Sequence, residues 1–414
     1  MKTPVLVIFG FIAQLSLAQI GQFQSIPGEK KVYRYDPEVK SKPLHIPSPF
    51  ANIPESKSGN ARSSQDCSLS ADIRVTYSGF STAAQNAFQF AVDIWKRCIV
   101  ANVPIRIDAS FGDLGSGVLG SASIGRFIID QGDQLPMKLV PYPVALANNI
   151  VGEDIYPSEP DIVAEFNSNF QWYFGLDGNT PPGQIDFVTV VLHEICHGLG
   201  FSSTAMSNGM ASGTSIGRPF TIDNQSGLYP TVYDNKLENA VGTKVTSFAN
   251  NSAALLNVLT SEGVFFDGSH ANAANGGSRV ELYAPTIYDM GSSISHLDES
   301  FNNTSQALMT YSLPSGESIH DPGSICIGML EDIGWDINQN CFPTYIYINK
   351  NHTGAELGSV LNPYKTLNKA ETESSNGSTI FFLSSGEHNE INGQILSRRV
   401  LLRLANGNNP VIVR

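Results

Sequence analysis

The chain has 414 residues, 41% of them hydrophobic and 15% charged, with a formal net charge of −13. That length supports two domains, or one elaborated domain with a small module. The acidic balance argues against nucleic acid and anionic membrane surfaces as partners.

Residues 1–18 read as a secretory signal peptide, which places the protein outside the cell. Lys2 gives the positive start and Val5 to Leu17 an apolar run. Ser16-Leu17-Ala18 then offers small residues before a cleavage that leaves Gln19 first. The run is too short for a stop-transfer helix, and no later stretch is apolar enough to span a bilayer. Five cysteines (Cys67, Cys98, Cys196, Cys326 and Cys341) allow up to two disulfides with one thiol left over. Residues 19–66 are rich in Pro, Lys and Ser, show no convincing period, and read as a leader: either a propeptide or a linker.

Order is expected from Asp72 onward. Ile73 to Tyr77 alternates like a strand. Ser81 or Thr82 then caps a helix whose apolar residues, Ala84, Ala87, Phe88, Ala91, Val92 and Trp95, follow a helical period. Ile105 to Ile107 is a second strand, Gly112 to Gly125 a glycine-rich bend, and Phe127 to Ile129 and Asp161 to Phe166 two further strands. The last of these is the expected pairing strand for an extended substrate.

The next helix carries the chemistry. Asp186 is its expected N-cap, and Phe187, Val188, Val190, Val191, Leu192 and Ile195 make it apolar almost all round, so it belongs in a core. Within it lies His193-Glu194-Ile195-Cys196-His197-Gly198-Leu199-Gly200-Phe201. Histidines four apart share one helix face and can reach one metal ion. Glu194 beside them can take a proton from a water that the metal activates. Cys196 points off that face and is expected to be packed or disulfide-bonded. Gly198 and Gly200 end the helix.

Two histidines do not hold zinc well, so a third protein ligand is expected. The compact spacing HExxHxxGxxH would place it at residue 203, which is a serine. The first downstream glutamate, Glu238, lacks a helical context. His270, His296 and His320 remain open. Residues 202–295 read as an insertion with one helix from Ala253 to Thr260. A closing helix runs from Ser324 to Ile333 and ends at Gly334-Trp335.

HEICHGLGF, followed far downstream by Ser295-His296-Leu297-Asp298-Glu299 and Ala307-Leu308-Met309-Thr310-Tyr311, resembles the metzincin zinc endopeptidases. The likeness is closest to their leishmanolysin-like branch, and it covers roughly residues 70–336. The resemblance implies an α+β catalytic domain over 67–342, with a twisted sheet, an active-site helix, a Met-turn and a closing helix. It also implies His193, His197 and His296 as zinc ligands, Glu194 as general base, Met309 in the Met-turn 13 residues after His296, and peptide-bond hydrolysis. Tyr311 could contact the metal or the oxyanion, with a packed tyrosine as the competing reading. Asp298 and Glu299 could orient ligands or simply be solvated. Asp66 or Cys67 could block the zinc in a precursor. Calcium is a further candidate ion among the Asp/Gly loops, although no twelve-residue calcium loop is present.

From residue 343 to 414 short β-like runs at Tyr345–Ile348, Thr379–Leu383, Val400–Leu404 and Pro410–Val413 suggest a small all-β module. It resembles the opening coils of a right-handed parallel β-helix. The overall expectation is a secreted, monomeric zinc endopeptidase acting on proteins or peptides. The alternative is an extracellular binding or adhesion protein with a structural metal site.

Overall fold

The computed structural model describes residues 23–37, 43–48, 69–338, 345–354, 356, 363–373, 379–384, 386–388, 401–404 and 411–413. The signal-peptide residues 1–18, Asp66, Cys67 and Cys341 lie outside the described residues.

Order does not wait for Asp72, as the sequence suggested: the leader forms three strands, β1 (Phe23–Pro27), β2 (Lys30–Asp36) and β3 (His45–Ile46), because backbone pairing rather than an apolar period holds them. After β4 (Ile73–Ser78) comes α1 (Thr82–Cys98), whose N-cap Ser81 accepts the Ala84 N–H at 3.2 Å. Next follow β5 (Ile105–Gly112), β6 (Val118–Ile124), β7 (Arg126–Asp130) and β8 (Ile162–Asn167). The motif helix α2 (Phe187–Leu199) is capped by Asp186, which accepts the Thr189 N–H at 2.7 Å. Beyond the 202–295 segment lie β9 (Ser312–Pro314), β10 (Ser318–Ile319) and α3 (Ser324–Ile333). With four shorter helices, this is a mixed α+β fold among the described residues. None of these helices is long and apolar enough to cross a membrane.

One six-stranded sheet organises the site, in the order β9-β2-β6-β8-β5-β4. Strands β4, β5 and β8 are parallel; β6 runs antiparallel to β8; β2 is antiparallel to β6 and parallel to β9. Two expectations need correction here. Gly112 to Gly125 is not simply a bend, because Val118 to Ile124 is a strand. Its small residues Gly120, Ser121, Ala122 and Ser123 suit close helix approach, and a Cβ on Gly120 would lie 2.9 Å from Glu194 Oε1 and 3.0 Å from Val190 Cγ1. Asp161 to Phe166 does contain a strand, but β8 is paired on both sides and has no free edge for a substrate.

Helix α2 is buried along its whole length, as its all-round apolar sequence requires. It is tied to its neighbours by indole N–H groups: Trp95 of α1 donates to the Leu192 carbonyl at 3.1 Å, and Trp335 donates to the Leu199 carbonyl at 2.8 Å. Phe187 sits in an aromatic cluster with Phe80, Phe111, Phe166 and Trp172. Gly198 lies inside the last turn, where a Cβ would fall 2.4 Å from Ile162 of β8. Gly200, at φ 119°, is the left-handed C-cap that ends the helix.

The insertion holds more structure than its sequence suggests. Besides the helix Ala253–Leu259 it contains a hairpin (Arg218–Ile222 with Gln225–Tyr229) and a three-stranded antiparallel sheet (Leu237–Asn239, Val264–Phe266, Val280–Leu282). A short helix, Ser269–Ala274, packs on α3. In the C-terminal piece Tyr345–Ile348, Thr379–Phe382 and Leu401–Leu404 stack parallel and in register, and Gly386–His388 pairs parallel with Val411–Val413. This piece is not all-β: the helix Leu367–Glu373 turns Leu367 and Ala370, one helical turn apart, into a small separate core with Ile346, Ile348 and Ile380.

Gly328, in the interior of α3, tests this packing. Replacing a helix-interior glycine by alanine ordinarily stabilises by roughly 0.5–1 kcal/mol. Here the new Cβ would lie 2.8 Å from backbone atoms of His270 and Ala271, which cannot swing away. Overpacking of this kind costs about 1–3 kcal/mol. Gly328→Ala is therefore expected to lower the urea midpoint; an unchanged or raised midpoint would contradict the close approach.

Candidate metal centre

Helix α2 brings His193 and His197 to one face, and the segment after the insertion delivers His296 between two chain stretches. The Tyr283 N–H donates to the His296 carbonyl at 2.9 Å, and the Leu297 N–H donates to the Met309 carbonyl at 2.7 Å. Ser203, at the position where the compact motif would carry its third histidine, contributes differently: its N–H donates to Ser295 Oγ at 3.1 Å, beside His296. The loop after α2 is braced in turn by buried Asp234, which accepts from Ser203 Oγ at 2.8 Å, from the Thr204 N–H at 3.0 Å and from Thr231 Oγ1 at 2.9 Å.

Each imidazole is oriented by a backbone carbonyl. His193 Nδ1 lies 2.7 Å from the Leu308 carbonyl, His197 Nδ1 2.7 Å from that of Phe201, and His296 Nδ1 2.7 Å from that of Ser292. A carbonyl only accepts, so each Nδ1 carries the proton and each Nε2 presents a lone pair. Those three Nε2 atoms are 3.0, 3.2 and 3.2 Å apart. Three acceptors at that distance cannot bond one another and repel unless a cation lies among them. A tetrahedral zinc with bonds of about 2.0–2.1 Å would hold its nitrogen donors about 3.3 Å apart, close to this triangle. The donor set therefore fits a metal ion.

Burial reinforces this. His193 and His197 are held well below the usual imidazole range, first by burial and then by neighbouring imidazoles, and His296 is pulled down to about 4, chiefly by burial. All three are neutral ligands at neutral pH. Glu194 is fully buried, and neither of its carboxylate oxygens has a side-chain hydrogen-bond partner. Burial drives its carboxyl well above the ordinary range, while the Lys30 ammonium and the nearby Tyr33 N–H pull the other way.

The remaining candidates lie elsewhere. His270 is half-exposed and contacts Asp332 at 3.1 Å. His320 is buried, with Nε2 2.8 Å from the N-cap carboxylate Asp186, so it braces the start of α2. Glu238 pairs with Arg279 and Lys244. Met309 is buried in the turn Ala307–Met309, whose Leu308 carbonyl orients His193. Tyr311 stacks on Tyr283, with centroids 4.2 Å apart. Asp298 caps the turn Glu299–Phe301 and Glu299 is exposed, which is the behaviour of solvated acids. Cys196 is buried off the ligand face, its sulfur 3.1 Å from that of Cys326. Among the described residues no second group of three or more His, Cys, Asp or Glu side chains converges.

The tyrosine that does meet the site is Tyr33, from the leader. Its ring stacks on His193 with centroids 3.6 Å apart and planes within 4°. Sequence reasoning missed it. The only available signal was the alternation of Lys31 and Tyr33 as inward positions, and that was hidden because one of the two is charged.

A family model described as SPBPB7E8-like matches residues 60–268, and the chain belongs to that family. The match contains α2 but ends short of His296. No curated protein and no solved structure matches the chain. The family name carries no activity, so the chemistry rests on the geometry.

His296→Ala should lose its metal on dialysis, whereas His270→Ala and His320→Ala should keep one equivalent per chain. Metal quantification on the three purified variants checks this. Full retention by His296→Ala would break the assignment.

Proposed function

We propose that the protein is a secreted zinc-dependent endopeptidase of metzincin type, close to the leishmanolysin-like branch. The observation that carries this is the fully buried carboxylate of Glu194, without a side-chain hydrogen bond, next in sequence to one of three convergent imidazoles. Leaving such a group unsatisfied is costly, and a purely structural metal site has no use for it. Imidazole donors suit zinc, copper, iron and nickel; zinc is the choice that goes with hydrolysis and a neighbouring general base. The parallel, in-register stacks of the C-terminal piece support its likeness to a β-helix.

His193, His197 and His296 would hold the cation, their rings locked by the carbonyls of Leu308, Phe201 and Ser292. When bound, the cation supplies Lewis acidity, bringing the pKa of a water down to about 7 and polarising the scissile carbonyl. Glu194 would accept a proton from the attacking water at a carboxylate oxygen and return it to the departing nitrogen. Gly120 of β6 leaves room beside Oε1, which any larger residue would fill.

Glu194→Gln should keep the fold and the metal and lower casein hydrolysis by roughly 10²–10⁴-fold against the parent in the same processing state. Hydrolysis at the parent rate would remove the general-base role.

A further inference from the structure

The site just described is sealed. His193, Glu194 and His296 have no exposed surface and His197 has 1%. A peptidase must admit a polypeptide, so some element of this structure has to give way. The cover is β2.

The slot that β2 fills is one strand wide. On one side its register with β6 runs Lys30↔Ser123, Lys31↔Ala122, Val32↔Ser121 and Tyr33↔Gly120, with a register shift after Tyr33. On the other side Arg34, Tyr35 and Asp36 pair with Ser312, Leu313 and Pro314 of β9. Further backbone bonds join Val32 N–H to the Gly291 carbonyl at 3.2 Å and Arg34 N–H to the Tyr311 carbonyl at 3.0 Å. Both walls belong to the catalytic unit: β6 touches Glu194, and β9 follows the Met309 turn. With β2 gone, each wall would present an open edge of backbone donors and acceptors, which is how an extended peptide is recognised. Tyr33 crosses at the centre, opposite the glycine that abuts Glu194, with its ring on His193.

Resting on the peptidase reading, we propose that residues 30–36 are an intramolecular inhibitor that occupies the substrate slot as an extended strand, with Tyr33 as the plug over the metal centre. This differs from a block by Asp66 or Cys67. Polar anchors hold the strand: Lys30 pairs with Glu165, Arg34 makes a two-point bond with Asp289 at 2.7 and 3.0 Å, and Glu29 pairs with Arg218. Asp289 consequently selects a basic side chain one residue beyond the metal centre in whatever peptide replaces β2. Nothing links β2 covalently to the slot except the chain itself. A tethered strand acts at roughly millimolar effective concentration; cut free and diluted to micromolar, it loses a factor of about 10³ in its hold on the slot.

The test inserts a recognition site for a sequence-specific protease directly after Pro37, which is exposed, in the full chain. Cut and uncut protein, both metal-loaded, pass through gel filtration. Each is then titrated with a fluorescein-labelled synthetic peptide spanning Lys30–Asp36, followed by anisotropy. The expected result is loss of the leader from the cut chain by mass spectrometry, with probe affinity at least about 100-fold above that of the uncut chain. The Tyr33→Ala and Arg34→Ala probes should bind more weakly. A leader that stays bound after the cut, or a folded, leader-free chain that ignores the probe, would overturn the proposal. Casein hydrolysis is measured in parallel. Probe binding without hydrolysis would sink the peptidase reading while leaving the occupied slot supported.

Discussion

Three imidazole N–H groups donate to three backbone carbonyls, each at 2.7 Å, and the rest of the site follows from that constraint. Fixing the proton on Nδ1 turns all three Nε2 lone pairs toward a common point. The arrangement is electrostatically unfavourable by itself, in a setting too dry for water to relieve it. It becomes favourable when a cation enters, because the fold has already met the cost of aligning the ligands. The carbonyls come from different places. Phe201 is the first residue past the left-handed Gly200, Ser292 precedes His296 by one turn of irregular chain, and Leu308 lies in the Met309 turn.

The scaffold explains how such a group can be buried. Helix α2 is apolar on every side that is not functional, and indole bonds from Trp95 and Trp335 pin both of its halves. Asp186 anchors its start through Thr189, Thr180 and His320, so one carboxylate caps the helix and gathers the chain before and after it. Gly198 and Gly120 are the points of closest approach to the sheet, where side chains would push the helix off β8 and β6. Rigidity is concentrated in this helix and sheet. The occupant of the slot is held instead by strand pairing and partly exposed ion pairs, interactions that a competing strand can reproduce.

Much of this was legible in the sequence. The spacing of His193 and His197, the caps at Ser81 and Asp186, and the closing helix from Ser324 to Ile333 each depend on local rules, and the structure shows the same elements. The third imidazole was narrowed to three candidates by elimination; its choice rested on resemblance, because a contact across an insertion of more than ninety residues leaves no local trace. Strand β6 was hidden by its small residues, which serve packing against α2 at the expense of β-propensity. Strand β2 was hidden for another reason. Its buried positions are Lys31 and Tyr33, so hydrophobic alternation fails. The strands of the insertion are three to five residues long, below the length at which a period declares itself.

The most direct measurement is X-ray absorption at the metal edge on protein purified without chelators. The account predicts zinc at one equivalent per chain, with three imidazole nitrogens at about 2.0–2.1 Å and no sulfur in the first coordination shell. A metal-free protein that stays folded and binds no zinc, or a spectrum dominated by cysteine sulfur, would contradict it.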